Sequence, residues 1–457
     1  MPPFTRTRTG CSTCKGDGYK CDEQKPECTR CKRLEKSCSY DLKLKWQDPI
    51  EPQSLDKSPR ASRKRKASSS SPTALVRRQP QRPALSVSPR AMGSGIAPGY
   101  GRLLNHWSTH LASMIVMAPT VRNQFHAHIT PMIDYSPALR SAICSMAARH
   151  LSVLRDDPSW LNIATRLQND VVPVVRRILD TESSENPLIS LAIIMILEIT
   201  NRQFITDSLV ATNSSVDHMM GADIIIRRAG PKIWESEAGA FLQNVCCYYD
   251  STTSVSKGAS PILNLGHGIL IQEAMKPVER LKALWAIIGR ISNMRSREGS
   301  LLDEEGINIE HDLRIFDTSS CEGDTFRTVH AYKEAAYIYL HRVWHNVGAP
   351  HPLALKHARD CLNHLFRVPV CSSLVTGHAW PLFTAACETI DSTLRNLALE
   401  RVRAMYEFRR LPALQRLEQD IKTAWEKKDK ERTATGIDNI DCVQAIIAIR
   451  QRGPDLA

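Results

Sequence analysis

The stretch "CSTCKGDGYKCDEQKPECTRCKRLEKSC", residues 11–38, carries six cysteines in the spacing C-x2-C-x6-C-x6-C-x2-C-x6-C. This pattern is one unit, C-x2-C-x6-C, written twice with a shift of seventeen residues. Such a duplication predicts two similar half-sites related by a pseudo-two-fold axis. Six thiolates are too many for one tetrahedral zinc ion and too few for two separate ones, so two zinc ions require two shared ligands. The ligands predicted in this way are Cys11, Cys14, Cys21, Cys28, Cys31 and Cys38.

The symmetry of the pattern also indicates which ligands are shared. Cys11 and Cys28 each open one unit, so they occupy equivalent positions and form the natural bridging pair. Structural zinc contributes roughly 10–16 kcal/mol to small zinc domains, whereas Gly16 and Gly18 together cost a helix about 2 kcal/mol. We therefore expect metal binding to fold this segment despite its glycines.

The net charge of +12 lies at one end of the chain. Residues 1–98 hold 21 Lys and Arg against 9 Asp and Glu, and the remaining residues hold equal numbers of basic and acidic side chains. A basic end on a neutral body favours a polyanionic partner, most simply nucleic acid.

Two observations predict a soluble, intracellular protein with no membrane partner. The opening residues, "MPPFTRTRTGC", lack the apolar core of a signal peptide. The most apolar run, residues 187–200, is interrupted by Glu198 and is shorter than the ~20 residues that span a bilayer. In a reducing compartment, clustered cysteines are expected to bind metal rather than form disulfides.

Composition divides the chain into three predicted regions. Residues 1–45 contain the cysteine cluster, and residues 46–98 are rich in Pro, Ser and Arg with no apolar periodicity, which predicts a disordered linker without a coiled coil. Residues 99–457 show helical periodicity and essentially no alternating strand pattern. We predict a mainly α protein: a small two-zinc cluster with two short helices, a linker and a large all-helical domain. Helices are predicted at 101–118, 136–154, 160–180, 187–203, 214–228, 268–294, 325–346, 352–366, 379–408, 411–427 and 438–451.

The cysteine segment resembles the binuclear zinc cluster of fungal transcription regulators. The six cysteines match that family position by position, as do "KCDEQKPEC" and the following "CSY". The helical region resembles, more loosely, the fungal-specific transcription factor domain, through "SPALRSAICSMAARHLS" and "VDHMMGADIIIRRAGP". The resemblance implies two zinc ions, bridging by the first and fourth cysteines, a DNA-reading first helix, and a regulatory body without catalysis.

One departure from this resemblance concerns base reading. The family has a basic pair in the middle of the stretch between the second and third cysteines, and this chain has Asp17 and Gly18 there. Between Cys28 and Cys38, four basic residues and Glu35 give a net charge of +3. We therefore expect phosphate attraction to persist while base reading by the first helix is weakened or changed, unless the backbone and Lys20 suffice. The predicted DNA contacts are Arg6, Arg8, Lys15, Lys20, Arg30, Lys32 and Arg33, with Lys36 adding to the charge of the second half.

The linker carries the basic run Arg63, Lys64, Arg65 and Lys66, which is typical of a nuclear localisation signal read by an import receptor. Extra non-specific phosphate attraction is the alternative role for this run. The basic run and the zinc cluster together predict a nuclear protein.

No catalytic set assembles in the sequence, so an enzyme is not predicted. His341 and His345 lie one helical turn apart, but no third metal ligand and no H-E-x-x-H motif accompanies them. Cys246 and Cys247 stand in an apolar stretch, where free cysteines act as small hydrophobic residues.

The sequence thus predicts a zinc-dependent, sequence-specific regulator of transcription that binds double-stranded DNA. The family resemblance implies a role in specialised metabolism or nutrient use, since regulators of this type often govern such genes. Its other expected partners are an import receptor and the transcription machinery, and the choice between monomer and homodimer stays open. The alternative is a regulator that acts mainly through protein partners, with weakened or non-specific DNA binding.

Overall fold

The computed structural model describes residues 11–17, 19, 21–39, 98–116, 122–180, 186–204, 218–263, 277–319, 321–436 and 440–441. The chain divides into two compact units, residues 1–85 and 86–457. All regular elements of the described ranges are helices and none is a strand, which confirms the predicted mainly α fold class. The region boundaries predicted at residues 45 and 98 remain predictions, because residues 40–97 lie outside the described ranges.

The first unit has two short helices, α1 (Ser12–Asp17) and α2 (Thr29–Arg33). The second unit begins with α3 (Pro98–His106), which continues through a π-helical turn at Trp107–Leu111 into Ala112–Met114. The longer helices that follow are α4 (Pro137–Arg155), α5 (Ser159–Asp180), α6 (Pro187–Phe204), α7 (His218–Ala229), α8 (Glu237–Lys257), α9 (Pro277–Met294), α10 (Ser300–Ile315), α11 (Gly323–His345), α12 (Pro352–Phe366), α13 (Ala379–Cys387), α14 (Ser392–Arg409) and α15 (Pro412–Thr435). Short π- or 3-10-helical turns lie at Phe125–Ile129, Thr130–Asp134, Pro231–Trp234 and Ser373–His378.

Most of the predicted helices are confirmed, and local signals explain where they begin. Ser136 caps α4, since its hydroxyl accepts a hydrogen bond from the Leu139 amide at 3.2 Å. Asp391 caps α14 in the same way, through the Leu394 amide at 2.8 Å. Of the helix predicted at 438–451 only residues 440–441 are described, and these two are not helical, while the first residues of the helices predicted at 214–228 and 268–294 lie outside the described ranges.

The single helix predicted over residues 379–408 is wrong, because the structure has α13 and α14 with a break at 388–391. Glu388 lies at this break and is almost fully buried. Its carboxylate accepts hydrogen bonds from Arg342 at 2.5 Å, Lys428 at 2.8 Å and the Ala349 amide at 2.6 Å. A buried carboxylate needs such partners, and the break places it between α11 and α15.

Helix α6 lies at the centre of the second unit and packs against α4, α7, α8 and α15. By length and composition it is long and apolar enough to cross a membrane, and among the described residues it is the one such helix. However, 78% of it is buried inside the unit, including the continuous run from Ser190 to Thr200. This burial is the packing of a core helix, and it explains why α6 is apolar over most of its length.

Aromatic side chains fill the core beside α8 and α11. The ring of Trp285 packs edge-on against Tyr248 at 5.2 Å, and Tyr332 stacks on Trp380 at 5.7 Å between ring centroids. All four side chains are buried. Aromatic pairs of this kind add stability beyond the area they bury.

Candidate metal centre and nucleic-acid interface

Six cysteine thiols meet in the first unit and form two overlapping groups of four. The first group is Cys11, Cys14, Cys21 and Cys28, and the second is Cys11, Cys28, Cys31 and Cys38. Within each group all Sγ atoms lie within 4.8 Å of one another, and Cys11 and Cys28 belong to both.

The sulfur separations suit tetrahedral zinc. Cys11 Sγ lies 3.8 Å from Cys28 Sγ and 3.7 Å from Cys31 Sγ, and Cys14 Sγ lies 3.6 Å from Cys28 Sγ. Four sulfurs at about 2.3 Å from one zinc ion lie about 3.8 Å apart, whereas the sulfurs of a disulfide lie only about 2.05 Å apart. Each group of four therefore has a spacing that suits one zinc ion.

The hydrogen bonds around the thiols repeat with the seventeen-residue shift of the sequence. The Cys14 amide donates to Cys11 Sγ at 3.4 Å, and the Cys31 amide donates to Cys28 Sγ at 3.4 Å. The Cys11 amide donates to Cys21 Sγ at 3.4 Å, and the equivalent Cys28 amide donates to Cys38 Sγ at 3.3 Å. Such N–H donors stabilise thiolates and orient them toward a metal.

The electrostatics of the thiols favour a bound cation. Burial alone would raise the pKa of Cys11, but hydrogen bonds from Cys14 and neighbouring thiols lower this pKa to about 6. For Cys14, burial together with Cys11 and Cys28 raises the pKa to about 12. Adjacent thiols cannot all ionise next to one another unless positive charge lies between them.

Local sequence explains how the two halves form. Helices α1 and α2 each begin immediately after the opening cysteine of a unit, so both place the C-x2-C pair in a first helical turn. Cys28 itself caps α2, and the Asp22 carboxylate accepts a hydrogen bond from the Thr29 amide at 3.1 Å. The loop between the two C-x2-C-x6-C halves of the cluster is thus fixed to the start of α2.

The residues predicted to contact DNA differ in how exposed their side chains are. Lys32 and Arg33 are exposed on α2. Arg30 is only 18% exposed, because its guanidinium lies over the Tyr19 ring at 4.2 Å and 3.9 Å from Cys14 Sγ. Lys15 falls within α1, while Arg6, Arg8 and Lys20 lie outside the described residues, as does the basic run at 63–66.

Asp17 has a role that the sequence analysis missed. Its Oδ2 atom accepts hydrogen bonds from Arg30 Nη1 at 2.9 Å and Lys36 Nζ at 3.0 Å. These bonds from Lys36 and Arg30 lower the pKa of the Asp17 carboxyl. The acidic residue at the end of α1 is therefore paired with the basic second half; the reversal of charge at position 17 was the one signal in the sequence.

The histidines and cysteines considered as possible metal ligands or reactive groups lie in the helical unit and have structural roles. Burial, followed by the nearby His357, lowers the pKa of His341 to about 4, and His357 in turn pairs with Glu334 at 2.6 Å. Cys246 and Cys247 are buried in α8, and burial raises the pKa of Cys247 to about 12. Among the described residues, groups with the spacing of metal ligands occur only at the six cysteines.

A thiol cluster for two metals, followed by a large helical unit, defines a zinc-cluster transcription factor. Residues 9–47 match the fungal Zn(2)-Cys(6) binuclear cluster domain, and residues 102–268 and 286–448 match the fungal specific transcription factor domain. The chain therefore belongs to this family of fungal transcription factors and is not an enzyme. The six-cysteine cluster implies two zinc ions, and the domain implies DNA binding.

Three of the similar proteins come from the yeast Saccharomyces cerevisiae. The chain is 28% identical over 184 residues to transcriptional activator protein UGA3 of Saccharomyces cerevisiae, which covers 35% of this chain and 34% of that protein. It is 45% identical over 47 residues to arginine metabolism regulation protein II of the same organism, covering 10% and 5%, and 43% identical over 47 residues to its thiamine biosynthesis regulatory protein, covering 10% of each. The matches thus span about a third or less of these relatives. No solved structure matches the chain.

Proposed function

We propose that this chain is a nuclear regulator that binds specific sites in double-stranded DNA through its zinc cluster. The overlap of the two thiol groups at Cys11 and Cys28 carries the proposal. We assign Cys11 and Cys28 as ligands bridging two zinc ions, with Cys14 and Cys21 completing one site and Cys31 and Cys38 completing the other.

The DNA-contacting surface is assigned to the basic residues around this cluster. Lys32 and Arg33 are exposed on α2, next to the buried ligand Cys31. Two cations projecting from a metal-fixed helix suit contacts with DNA phosphates. Arg6, Arg8, Lys15 and Lys20 extend this proposed contact set.

Regulation of nutrient use is the proposed role in the cell. The chain resembles proteins whose names refer to arginine metabolism and to thiamine biosynthesis. In this proposal the helical unit contacts the transcription machinery, and Arg63, Lys64, Arg65 and Lys66 recruit an import receptor. Alanine at these four positions should move a fluorescent fusion of the chain from the nucleus to the cytoplasm.

Selection from random double-stranded DNA by the zinc-loaded full chain tests the central part of this proposal. We expect enrichment of a defined site that competes specifically for binding. Replacement of a ligand, Cys14→Ser, should abolish enrichment, whereas Cys371→Ser, at an exposed cysteine of the helical unit, should not. Binding without sequence preference would instead favour a regulator that works mainly through protein partners, and the absence of any DNA binding would overturn both.

A further inference from the structure

The geometry points to Asp17 as an internal competitor of DNA: we infer that its carboxylate occupies Arg30 and Lys36 and withholds them from DNA phosphates. This inference rests on the proposed DNA binding. It makes residue 17 a determinant of how strongly the cluster attracts any DNA sequence, separate from the residues that contact DNA directly.

Arg30 and Lys36 share one oxygen atom of Asp17. Both cations donate to the same Asp17 Oδ2, at 2.9 Å from Arg30 and 3.0 Å from Lys36. A DNA phosphate would present these two cations with an anionic oxygen of the same kind. The carboxylate therefore offers, within the chain, the contact that DNA would otherwise supply.

Arg30 has further support besides the Asp17 carboxylate. Its guanidinium is held over the Tyr19 ring, and it also lies 3.9 Å from Cys14 Sγ. Nearby, Thr13 Oγ1 donates to the Ser37 carbonyl at 2.6 Å, which also joins the two halves. Arg30 is therefore held by several groups at once, whereas Lys36 is 48% exposed and is bound only at its tip.

Two neighbouring cations differ from Arg30 and Lys36. Lys32 and Arg33 are exposed, and no ion pair joins either to a described residue. The second half therefore presents about two available cations rather than four. Each phosphate contact contributes a slope of about −0.9 to log K against log salt, so release of Arg30 and Lys36 would steepen the slope by up to about 1.8.

The experiment measures the slope of log K for DNA binding against log salt concentration, for the zinc-loaded full chain and for two variants. Asp17→Asn should steepen the slope toward a difference of about 1.8, equivalent to about tenfold more affinity lost between 50 and 200 mM salt. Glu27→Gln makes the same change of charge at an exposed residue of the cluster and should leave the slope nearly unchanged. Equal slopes for wild type and Asp17→Asn would overturn the inference, as would equal effects of the two substitutions.

A double-mutant cycle tests whether Asp17 keeps Lys36 from binding DNA phosphates. Lys36→Gln should change the slope little in the wild-type chain and reduce its steepness by about 0.9 in the Asp17→Asn chain. Lys32→Gln should reduce it by about 0.9 in both. Equal effects of Lys36→Gln and Lys32→Gln in the wild-type chain would contradict the inference, and this comparison holds even if Asp17→Asn fails to retain two zinc ions.

If wild-type protein binds no DNA at all, the proposed function fails, whereas an unchanged slope with intact binding overturns only the role of Asp17.

Discussion

The two units of this chain are stabilised by different means. In the cysteine cluster, the side chains of the described core are thiols, and hardly any apolar residue supports them. In the helical unit, a continuous core of aliphatic and aromatic side chains is combined with buried ion pairs. One chain thus combines a segment that metal folds with a segment that apolar burial folds, and the two should respond to different perturbations.

Removal of zinc is expected to give the largest difference between the units. Because structural zinc supplies roughly 10–16 kcal/mol to domains of this kind, a strong chelator should unfold residues 11–39. The helical unit should keep its helices and its thermal transition. Limited proteolysis and circular dichroism of the full chain check this, and loss of most helical signal with the metal would refute the separation.

Loss of a buried charge should strongly destabilise the helical unit. Glu388→Gln leaves Arg342 and Lys428 beside a neutral amide, and we expect a loss of about 3–5 kcal/mol in the free energy of unfolding. Glu418→Gln affects a pair with the more exposed Arg403 and Lys422, and should cost about 0–1 kcal/mol. Urea unfolding of both variants measures the difference, and similar losses would argue against a special role for the buried carboxylate.

A second buried carboxylate, Glu198, predicts how the helical unit responds to acid. Burial would raise the pKa of Glu198, but Arg202 and then His218 lower it from 4.5 to about 2. Since the folded pKa lies below the unfolded pKa, the stabilisation is present above about pH 4.5 and is lost as the pH falls toward 2. The stability gap between wild type and Glu198→Gln should therefore close by about 3 kcal/mol over this range. A gap that stays constant in acid urea titrations would contradict this assignment.

Packing at two glycines gives the smallest predicted effects. A Cβ atom on Gly306 of α10 would lie 2.4 Å from the Trp344 ring, whose Nε1 donates to Asp303. Gly306→Ala should therefore cost about 1–3 kcal/mol. Gly101 of α3 has nothing within 4 Å, so Gly101→Ala should stabilise by about 0.5–1 kcal/mol. Thermal unfolding tests both, and a stabilising Gly306→Ala would show that Trp344 moves aside freely.

The parts that the sequence predicts well depend on short-range rules. Thiol spacing predicts two equivalent half-sites because each cysteine has a fixed place in its unit, and the repeated hydrogen bonds follow the same shift. The start of α4 follows from a serine before a proline and an apolar period. These signals lie within a few residues of the feature they determine.

Helix α8 was missed because its pattern is not amphipathic. Its end, "DSTTSVS" at residues 250–256, consists of buried polar and β-branched residues. Thr252 and Ser256 donate back to carbonyls four residues earlier, at 2.9 and 2.8 Å. Most of these hydroxyl groups are thus satisfied within the helix itself, and a periodicity of apolar residues cannot show such a helix. Ser236 before the helix and Gly258 after it were the available signals. Helix α10 was missed as well, since it begins after Gly299 without a side-chain cap.

The pairing of Asp17 depends on contacts between the two halves, which the sequence does not display. Position 17 and its partners at 30 and 36 are separated by thirteen and nineteen residues. Sequence analysis could therefore identify Asp17 as a reversal of charge and could not find which cations it binds.

Zinc stoichiometry of the full chain by native mass spectrometry tests the central claim most directly. The account predicts two zinc ions in the wild-type chain and loss of both in Cys28→Ser, because a bridging thiolate serves both sites. Cys14→Ser, at a ligand assigned to one site, should retain more zinc than Cys28→Ser, and Cys371→Ser should retain two. One zinc ion per wild-type chain, or equal retention by Cys14→Ser and Cys28→Ser, would contradict a cluster that shares Cys11 and Cys28.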